Sequence, residues 1–422
     1  MQWSDEVVKM TKLFPQEGIF LTGIESSDPW VEGKRRNQLR EAHNFHNNWE
    51  VRLENIYKLG LKYLRFGPPY SQTHVGKDQY DFSLVEKVLK RCDELGIEVM
   101  IDLLHFGLPE WLHGEGTEET FFQNNAFPIE FATYVGHFAR TFPQIKYFTI
   151  INEPFITASF STKLGLWNEG HRTAWDQDQL FMKAVKNIVR AAILGREEIE
   201  RVWQAEQRSG HPVFVQNESF EMVIVEDDAG HRVPEANAFN VRRFAALDLI
   251  FGFRDPVMKE YMLRHGFSEI DYEWCMEHGT FENHVLGIDH YPTAVHRYGK
   301  EISVDETPDA PSKLYDIVKV YWDRYLLPML HTETNGWPAH AVKICQDTYD
   351  TINKLRAEGY PVLGMGWYGD EYQVGWHYAL HGPLSFEESP VGLFYKGELQ
   401  PVGKRFGELA KKGLVPLKEV TS

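Results

Sequence analysis

The chain has 422 residues, of which 44 are Lys or Arg and 61 are Asp or Glu, so its formal net charge is −17. This charge opposes nonspecific binding to nucleic acid and to anionic membrane surfaces, and a neutral ligand fits it better. The cysteines, Cys92, Cys275 and Cys345, are widely spaced, which favours reduced thiols over a disulfide framework or a metal site. The N-terminus lacks a secretory signal pattern and no run reaches the length of a membrane span, so we expect a cytoplasmic protein.

Apolar runs of strand length alternate with helical patterns along the chain, which is typical of repeated βα units around a parallel sheet. Eight strands are predicted, at Ile19–Gly23, Tyr63–Phe66, Glu98–Leu104, Tyr147–Ile151, Pro212–Gln216, Leu286–His290, Met329–Thr332 and Pro361–Gly366. Between them, helices are predicted at Leu84–Leu95, with Ser83 and Glu86 as a capping box, and over Gln179–Gln207. The predicted fold class is α/β, a closed (β/α)8 TIM barrel that forms a single catalytic domain over residues 1–422.

Two glutamates each follow an apolar run, Glu153 before Pro154 and Glu333 shortly before Gly336. A carboxyl group at the C-terminal end of a barrel strand is typical of a catalytic residue. By the strand count Glu153 follows strand four and Glu333 ends strand seven, so both can face one pocket. Glycoside hydrolysis uses such a pair, one carboxyl to protonate the leaving oxygen and one to attack or to activate water. For either glutamate alone, the simpler interpretation is that it is an acid at a strand end that forms a salt bridge.

Short motifs at successive strand ends follow a recognisable order. Arg65 lies in the second strand, and Leu104–Leu112 after the third reads Leu-His-Phe-Gly-Leu-Pro-Glu-Trp-Leu. Asn152–Pro154 follows the fourth strand, Gly287–Tyr291 ends the sixth, and Thr332–Gly336 ends the seventh. In this order, and over nearly the whole chain, the motifs resemble glycoside hydrolase family 1, the retaining β-glycosidases with glutamates on strands four and seven of a barrel.

The resemblance implies a role for each matched residue. Glu153 would be the general acid and then the base, and Glu333 the nucleophile that forms a glycosyl-enzyme intermediate, with the two carboxyl groups about 5 Å apart. Arg65 and Tyr291 would donate hydrogen bonds to Glu333 and keep it ionised. As further implied contacts, Asn152 and His105 would bind sugar hydroxyls.

The residues expected to hold the sugar depart from the family pattern at several places, and His290 also replaces an aromatic residue. Trp30 stands where the family has a glutamine that holds two hydroxyls, and Gly375 stands where an acid precedes the second tryptophan of strand eight. We therefore expect cleavage with a divergent glycone specificity. The candidates for substrate contacts beyond His105 are Trp30, Glu25, Asp370, Glu371, Trp367, Trp111, Trp337 and Trp376, with Trp367 at the family's stacking position.

Other patterns in the chain do not support rival chemistries. Gly364–Gly369 fits a dinucleotide-binding motif, but no helical pattern begins inside it. The histidine pairs at 43 and 46 and at 377 and 381 lack a third ligand, so no metal and no cofactor are predicted. The expected partner is a small β-glycoside or an oligosaccharide, and the oligomeric state is not predicted. An endo-β-glycanase or a transglycosylase of the same clan, or a carbohydrate-binding barrel without turnover, remain alternatives.

Overall fold

Eight parallel strands close into a barrel, and each strand pairs with its neighbours in chain order. The computed structural model describes residues 3–31, 33–39, 44–114, 120–169, 177–226, 229–299, 302–304, 310–376 and 387–417. The barrel strands are β1 (Ile19–Ile24), β2 (Tyr63–Phe66), β3 (Glu98–Asp102), β4 (Tyr147–Thr149), β5 (Val213–Ser219), β6 (His284–Asp289), β7 (Met329–Glu333) and β8 (Val362–Tyr368). The predicted (β/α)8 barrel is confirmed.

Helices surround the barrel. They lie at Asp5–Thr11, Phe45–Lys58, Tyr70–Thr73, Ser83–Leu95, Phe127–Thr141, Pro154–Ala158, Gln177–Ala205, Val233–Arg242, Ala245–Phe251, Pro256–Arg264, Glu269–His278, Ala310–Tyr325, Pro338–Ala357 and Pro401–Lys412. Short strands outside the barrel pair as Trp30–Val31 with Lys34–Arg35, His74–Gly76 with Gln79–Tyr80, Gln373–Val374 with Glu388–Ser389, Phe394–Tyr395 with Glu398–Leu399, and Met222–Val225 with Val295–Tyr298 and Ile302–Val304. Within these described ranges, no helix combines the length and the apolar character needed to cross a membrane.

Apolar side chains fill the N-terminal half of the barrel. Leu21, Met100, Val215 and Leu330, from alternate strands, form one buried cluster, which also includes Phe14 from the segment before β1. A larger apolar cluster lies between the strands and the helices. Burial of this kind stabilises the fold by roughly 25 cal/mol per Å² of apolar surface. The polar side chains described below are left to the C-terminal ends of the strands, where barrel enzymes carry their sites.

The predicted elements agree with the structure in position and differ at their ends. β5 continues beyond the predicted end at Gln216 to Ser219, because its polar residues Asn217 and Glu218 are buried and bonded to neighbouring elements. The predicted capping box is wrong. Ser83 is the first helical residue, and its N–H donates to Asp81 Oδ1 at 3.0 Å.

A buried ion pair ties the first barrel helix to the loop after β8. Arg52, in helix Phe45–Lys58, donates from Nε to Asp370 Oδ2 at 2.7 Å and from Nη2 to Asp370 Oδ1. Asp370 was predicted as a substrate contact, and the structure bonds both of its carboxylate oxygens to Arg52. The pair holds one wall of the barrel mouth to the framework.

Replacement of Arg52 by Met is expected to destabilise the fold by about 3–5 kcal/mol, because it leaves Asp370 buried without its charge partner. Urea unfolding followed by circular dichroism measures the change in the free energy of unfolding. The matched control is Lys343→Met, which breaks the exposed pair between Lys343 and Asp347 and should cost about 1 kcal/mol or less. Equal effects of the two substitutions would contradict a supporting role for the Arg52 pair.

Candidate active site

Glu153 sits at a sharp turn between β4 and the short helix Pro154–Ala158. Its φ is 38°, in the left-handed region that non-glycine residues seldom adopt. On the strand side the Asn152 N–H donates to Leu104 O at 2.9 Å, and on the helix side the Thr157 N–H donates to Glu153 O at 2.8 Å. These bonds fix the strained residue between strand and helix, a kind of strain that clusters at functional sites.

Glu333 ends β7, and two donors from other strands bind its carboxylate. Arg65 Nη1, from β2, donates to Oε1, and the Tyr291 hydroxyl, from the segment after β6, donates to Oε2 at 2.6 Å. Arg65 and Glu333 are both buried. The two donors bind the ionised form of the carboxylate and fix its position.

Arg65 also connects Glu333 to the β3 and β4 ends of the barrel. Its Nη2 donates to Asp102 Oδ2 at 2.8 Å and to Asn152 Oδ1 at 2.6 Å. His105 Nδ1 lies 2.7 Å from the same Asp102 oxygen, and His105 Nε2 lies 3.2 Å from Asn152 Nδ2. Four predicted residues thus belong to one hydrogen-bonded network: Arg65, His105, Asn152 and Glu333. Asp102 links His105 to Arg65 within it. The sequence analysis missed Asp102, although it carries the same signal as Glu333, a carboxyl at the end of a strand.

Asp289, at the end of β6, is a third carboxylate beside the two glutamates. One carboxylate oxygen from each of Glu153, Asp289 and Glu333 lies within 4.8 Å of the other two. The Asp289 carboxylate accepts hydrogen bonds from Thr332 Oγ1 at 2.6 Å and from Asn217 Nδ2 at 3.0 and 3.1 Å. This approach of one oxygen from each glutamate is compatible with the separation of about 5 Å in a retaining pair.

The surroundings of Glu153 favour its protonated form. Burial raises the pKa of Glu153 well above its ordinary value, and the charges of Asp289, Glu218 and Glu221 raise it further, against the opposing charge of Arg65. Burial also raises the pKa of Asp289, to about 6. These surroundings favour the protonated form of Glu153, the form that a general acid requires.

The same three carboxylates are the residues that could bind a metal. Within the described part of the chain, Glu153, Asp289 and Glu333 form the group of acids or histidines with suitable spacing. Hard cations such as Mg²⁺ or Ca²⁺ favour oxygen ligands of this type. Arg65 already supplies a positive charge to Glu333. The absence of a catalytic metal stays a prediction.

Trp376 and Trp30 lie on the same side of the barrel mouth in different surroundings. Trp376 contacts Phe106, with ring centroids 6.0 Å apart, and Phe106 in turn contacts His105 at 4.6 Å. Trp30 meets His113 edge-on at 4.9 Å and lies beside Arg35 at 5.5 Å. Trp376 thus reaches the Arg65 network through Phe106. Trp30 also reaches Phe106, through Asn168, which accepts from Trp30 N at Oδ1 (3.1 Å) and donates from Nδ2 to Phe106 O (3.1 Å).

The other predicted tryptophans have structural partners. Trp367 is fully buried in β8 and donates from Nε1 to Val391 O at 3.0 Å. Trp111 donates from Nε1 to His74 O at 2.8 Å. Trp337 precedes helix Pro338–Ala357 and is 43% exposed. None of these contacts is with the glutamates, so their sugar-binding roles stay predictions.

Glu25 lies beside the site, whereas Glu371 is bonded to the framework. Burial and then the charge of Glu25 raise the pKa of Tyr368 well above its usual value, and Arg65 lies 5.5 Å from the Tyr368 ring centroid. The Glu25 oxygens accept from Ser27 N at 2.8 Å and Gln373 Nε2 at 3.4 Å. The Glu371 oxygens accept from the backbone N–H groups of residues 396 and 397 at 2.9 and 2.8 Å.

His331, two residues before Glu333, is buried in β7. Burial, together with the neighbouring His290, lowers the pKa of His331 to about 3. His331 is therefore neutral at physiological pH, and it does not add a positive charge next to Glu333.

A (β/α)8 barrel with paired glutamates at the ends of β4 and β7 has the architecture of a glycoside hydrolase. The model of Glycosyl hydrolase family 1 matches residues 31–217, which include Arg65, His105 and Glu153. The predicted resemblance of this chain to glycosyl hydrolase family 1 is confirmed.

Similar proteins are found both by sequence and by structure. A 6-phospho-beta-galactosidase from Staphylococcus aureus (strain JH9) is 28% identical over 130 residues, which cover 30% of this chain and 27% of that protein. A beta-glucosidase from Thermotoga maritima in complex with deoxynojirimycin superposes with a TM-score of 0.77 at 16% identity, covering 95% of this chain and 99% of that one. The same enzyme in complex with noeuromycin superposes with a TM-score of 0.75 at 17% identity. The structural likeness extends over the whole barrel.

Replacement of Asp289 by Asn is expected to lower the pKa of Glu153, because it removes a negative charge that favours the protonated form. Carbon-13 NMR of glutamate-labelled protein would follow this titration, with Glu153→Gln used to assign the signal. The control Asp347→Asn removes the same charge at the protein surface and should leave the Glu153 titration in place. An unchanged midpoint in Asp289→Asn would contradict the assigned electrostatic coupling.

Proposed function

We propose that this protein is a β-glycosidase that cleaves its substrate with retention of configuration. The observation that carries the proposal is a pair of glutamates with one carboxylate oxygen of each within 4.8 Å of the other. Arg65 and Tyr291 bind Glu333, and the surroundings of Glu153 raise its pKa. This is the division between nucleophile and acid that a retaining mechanism requires. The sequence resemblance and the shared barrel support the same reaction.

In the first step, the Glu333 carboxylate attacks the anomeric carbon while Glu153 donates its proton to the glycosidic oxygen. The C–O bond to the aglycone breaks, the alcohol leaves, and a glycosyl ester forms on Glu333. In the second step Glu153, now ionised, takes a proton from water as the water attacks the anomeric carbon and releases Glu333. Two inversions give net retention.

The Arg65 network supports both steps. Tyr291 and Arg65 hold the Glu333 oxygens, so attack requires little reorganisation of the nucleophile. Asn152 and His105, which are bonded to each other and to the Arg65–Asp102 pair, are placed to bind hydroxyls of the reacting sugar. Hydrogen bonds to the sugar that strengthen in the transition state contribute several kcal/mol in this class of reaction.

We propose a small β-glycoside as the substrate. The names of the similar proteins point to glucosides and to 6-phosphogalactosides. The changed positions at Trp30 and Gly375 favour a glycone other than the one that the family's glutamine and acid would hold. A panel of aryl β-glycosides that includes neutral, uronic and phosphorylated sugars tests this proposal.

Replacement of Glu333 by Ala is expected to abolish turnover of every aryl β-glycoside that the wild type cleaves, because no nucleophile remains. Release of the aryl alcohol measures turnover, and circular dichroism checks that the fold is retained. Proton NMR of the wild-type reaction should show the β-anomer as the first product. An α-anomer first, or full activity in Glu333→Ala, would contradict the mechanism, and silence over the whole panel with an intact fold would favour an endo-acting enzyme or a binding protein.

Replacement of Glu153 by Ala is expected to reduce turnover by about 100-fold or more for substrates with poor leaving groups, and much less for activated ones. Poor leaving groups need the proton from Glu153, whereas nitrophenolates leave without it. A plot of the rate against the pKa of the leaving alcohol gives the comparison. Equal losses across all leaving groups would contradict the acid assignment.

A further inference from the structure

Arg36 is a buried cation at the place where the family resemblance loses an acid. It is 2% exposed, and its Nη1 donates to Gly375 O at 3.2 Å. Gly375, with φ of 72°, occupies the position at which the family has an acid before the second tryptophan. A guanidinium group therefore lies against the backbone where a carboxylate would be expected, and the local charge is reversed.

Two donors of Arg36 lack a hydrogen-bond partner. Over the ranges that the structure describes, both Nε and Nη2 are buried and unpaired. A buried donor without an acceptor costs about 1–3 kcal/mol, and more for a charged group, so such groups call for an explanation. Arg36 thus has two buried donors and, among the described residues, no acceptor for either of them.

These two donors form the side of the guanidinium that binds oxyanions. Elsewhere in this chain Arg52 uses Nε and Nη2 together on the carboxylate of Asp370, and Arg324 uses the same two atoms on the carboxylate of Asp248. Two parallel N–H groups match two oxygens of a carboxylate or a phosphate. In Arg36 neither of the two atoms of this fork has a hydrogen-bond partner among the residues that the structure describes.

The surroundings hold the fork in place without filling it. The Arg36 guanidinium lies 4.7 Å from the Trp376 ring centroid and 5.8 Å from that of Trp167, so aromatic faces limit its movement. Burial lowers the pKa of Arg36 to about 10, and the charge of Glu25 opposes this decrease, so the group stays charged at neutral pH. Both Glu25 oxygens accept hydrogen bonds from Ser27 and Gln373 instead.

Arg36 is connected to the site at which the glycosidic bond would be cleaved. Trp376, under its guanidinium, contacts Phe106, and Phe106 contacts His105 of the Arg65 network. On the other side Glu25 interacts with both Arg36 and Tyr368. The Nε and Nη2 atoms of Arg36 thus lie near the same barrel mouth.

We propose that Arg36 binds an oxyanion, a carboxylate or a phosphate, that the sugar substrate carries. This inference rests on the proposed glycosidase function and names the class of its substrate, an acidic glycoside. The net charge of −17 acts against polyanions at long range, whereas one buried guanidinium fork selects a single anionic group at contact.

Ligand binding to an inactive protein tests the proposal separately from catalysis. In the Glu333→Gln background, isothermal titration calorimetry would compare galactose 6-phosphate and glucuronic acid with galactose and glucose. We expect at least one anionic sugar to bind about tenfold to a hundredfold more tightly than its neutral counterpart, because a bidentate charged pair forms. The stronger of the two anionic ligands tells phosphate from carboxylate.

Added substitutions assign the preference to the fork. Arg36→Gln should remove the preference for the anionic sugar, and Arg36→Lys, which keeps the charge and loses the fork, should retain only part of it. The control Arg264→Gln removes an equal charge at a position that is 67% exposed and should change nothing. Equal affinities for anionic and neutral sugars, or a preference that survives Arg36→Gln, would overturn the inference.

Turnover by the wild type separates this inference from the proposed function. Cleavage of neutral and acidic aryl β-glycosides at equal efficiency would leave the glycosidase function in place and overturn the role of Arg36. Binding of an anionic sugar that depends on Arg36, together with no cleavage of any aryl β-glycoside, would overturn the glycosidase function and leave the oxyanion site in place.

Discussion

The candidate site depends on one buried positive charge. Arg65 binds Glu333, Asp102 and Asn152, which come from three other positions around the barrel, and Asp289 and Glu153 lie close enough to be influenced by it. Burial of a guanidinium, or of several carboxylates at one end of a barrel, costs free energy that neighbouring opposite charges reduce. Arg65 and the carboxylates around it therefore stabilise each other's burial.

The positive and negative charges in this network do not balance, and the imbalance affects which glutamate is protonated more easily. One arginine cannot neutralise the carboxylates of Glu333, Asp102, Asp289 and Glu153 together. The excess negative charge favours protonation of one carboxyl group, and burial together with Asp289 and Glu218 raises the pKa of Glu153. Two identical side chains thus differ in their tendency to hold a proton through their surroundings alone.

The residues that sequence predicts well are those whose partners are implied by position in a strand. The βα alternation specifies the barrel, and the strand ends place Glu153, Glu333, Arg65 and Tyr291 at one rim. From the sequence, Asp370 is a plausible sugar contact. No residue near it in the chain indicates that Arg52, more than 300 residues away, binds both of its carboxylate oxygens.

Local patterns also mislead where burial reverses their usual meaning. The polar end of β5 reads as a loop, yet Asn217 and Glu218 are buried and bonded. Arg36 carries no sequence signal, since only the fold brings it to Gly375. Tertiary pairing, which a single sequence does not display, decides these cases.

The barrel closes through pairing between its first and last strands, with Ile19 opposite Gly364 in the register of β1 and β8. Arg65, Glu153 and Glu333 are spread from the second barrel strand to the seventh, whereas the wall formed by Glu25, Arg36, Gln373 and Gly375 joins the first part of the barrel to the last. During synthesis this wall cannot form until the eighth strand has left the ribosome, and pairings between distant segments form slowly. The wall is therefore among the last parts of the barrel mouth to form, and it forms together with closure of the barrel.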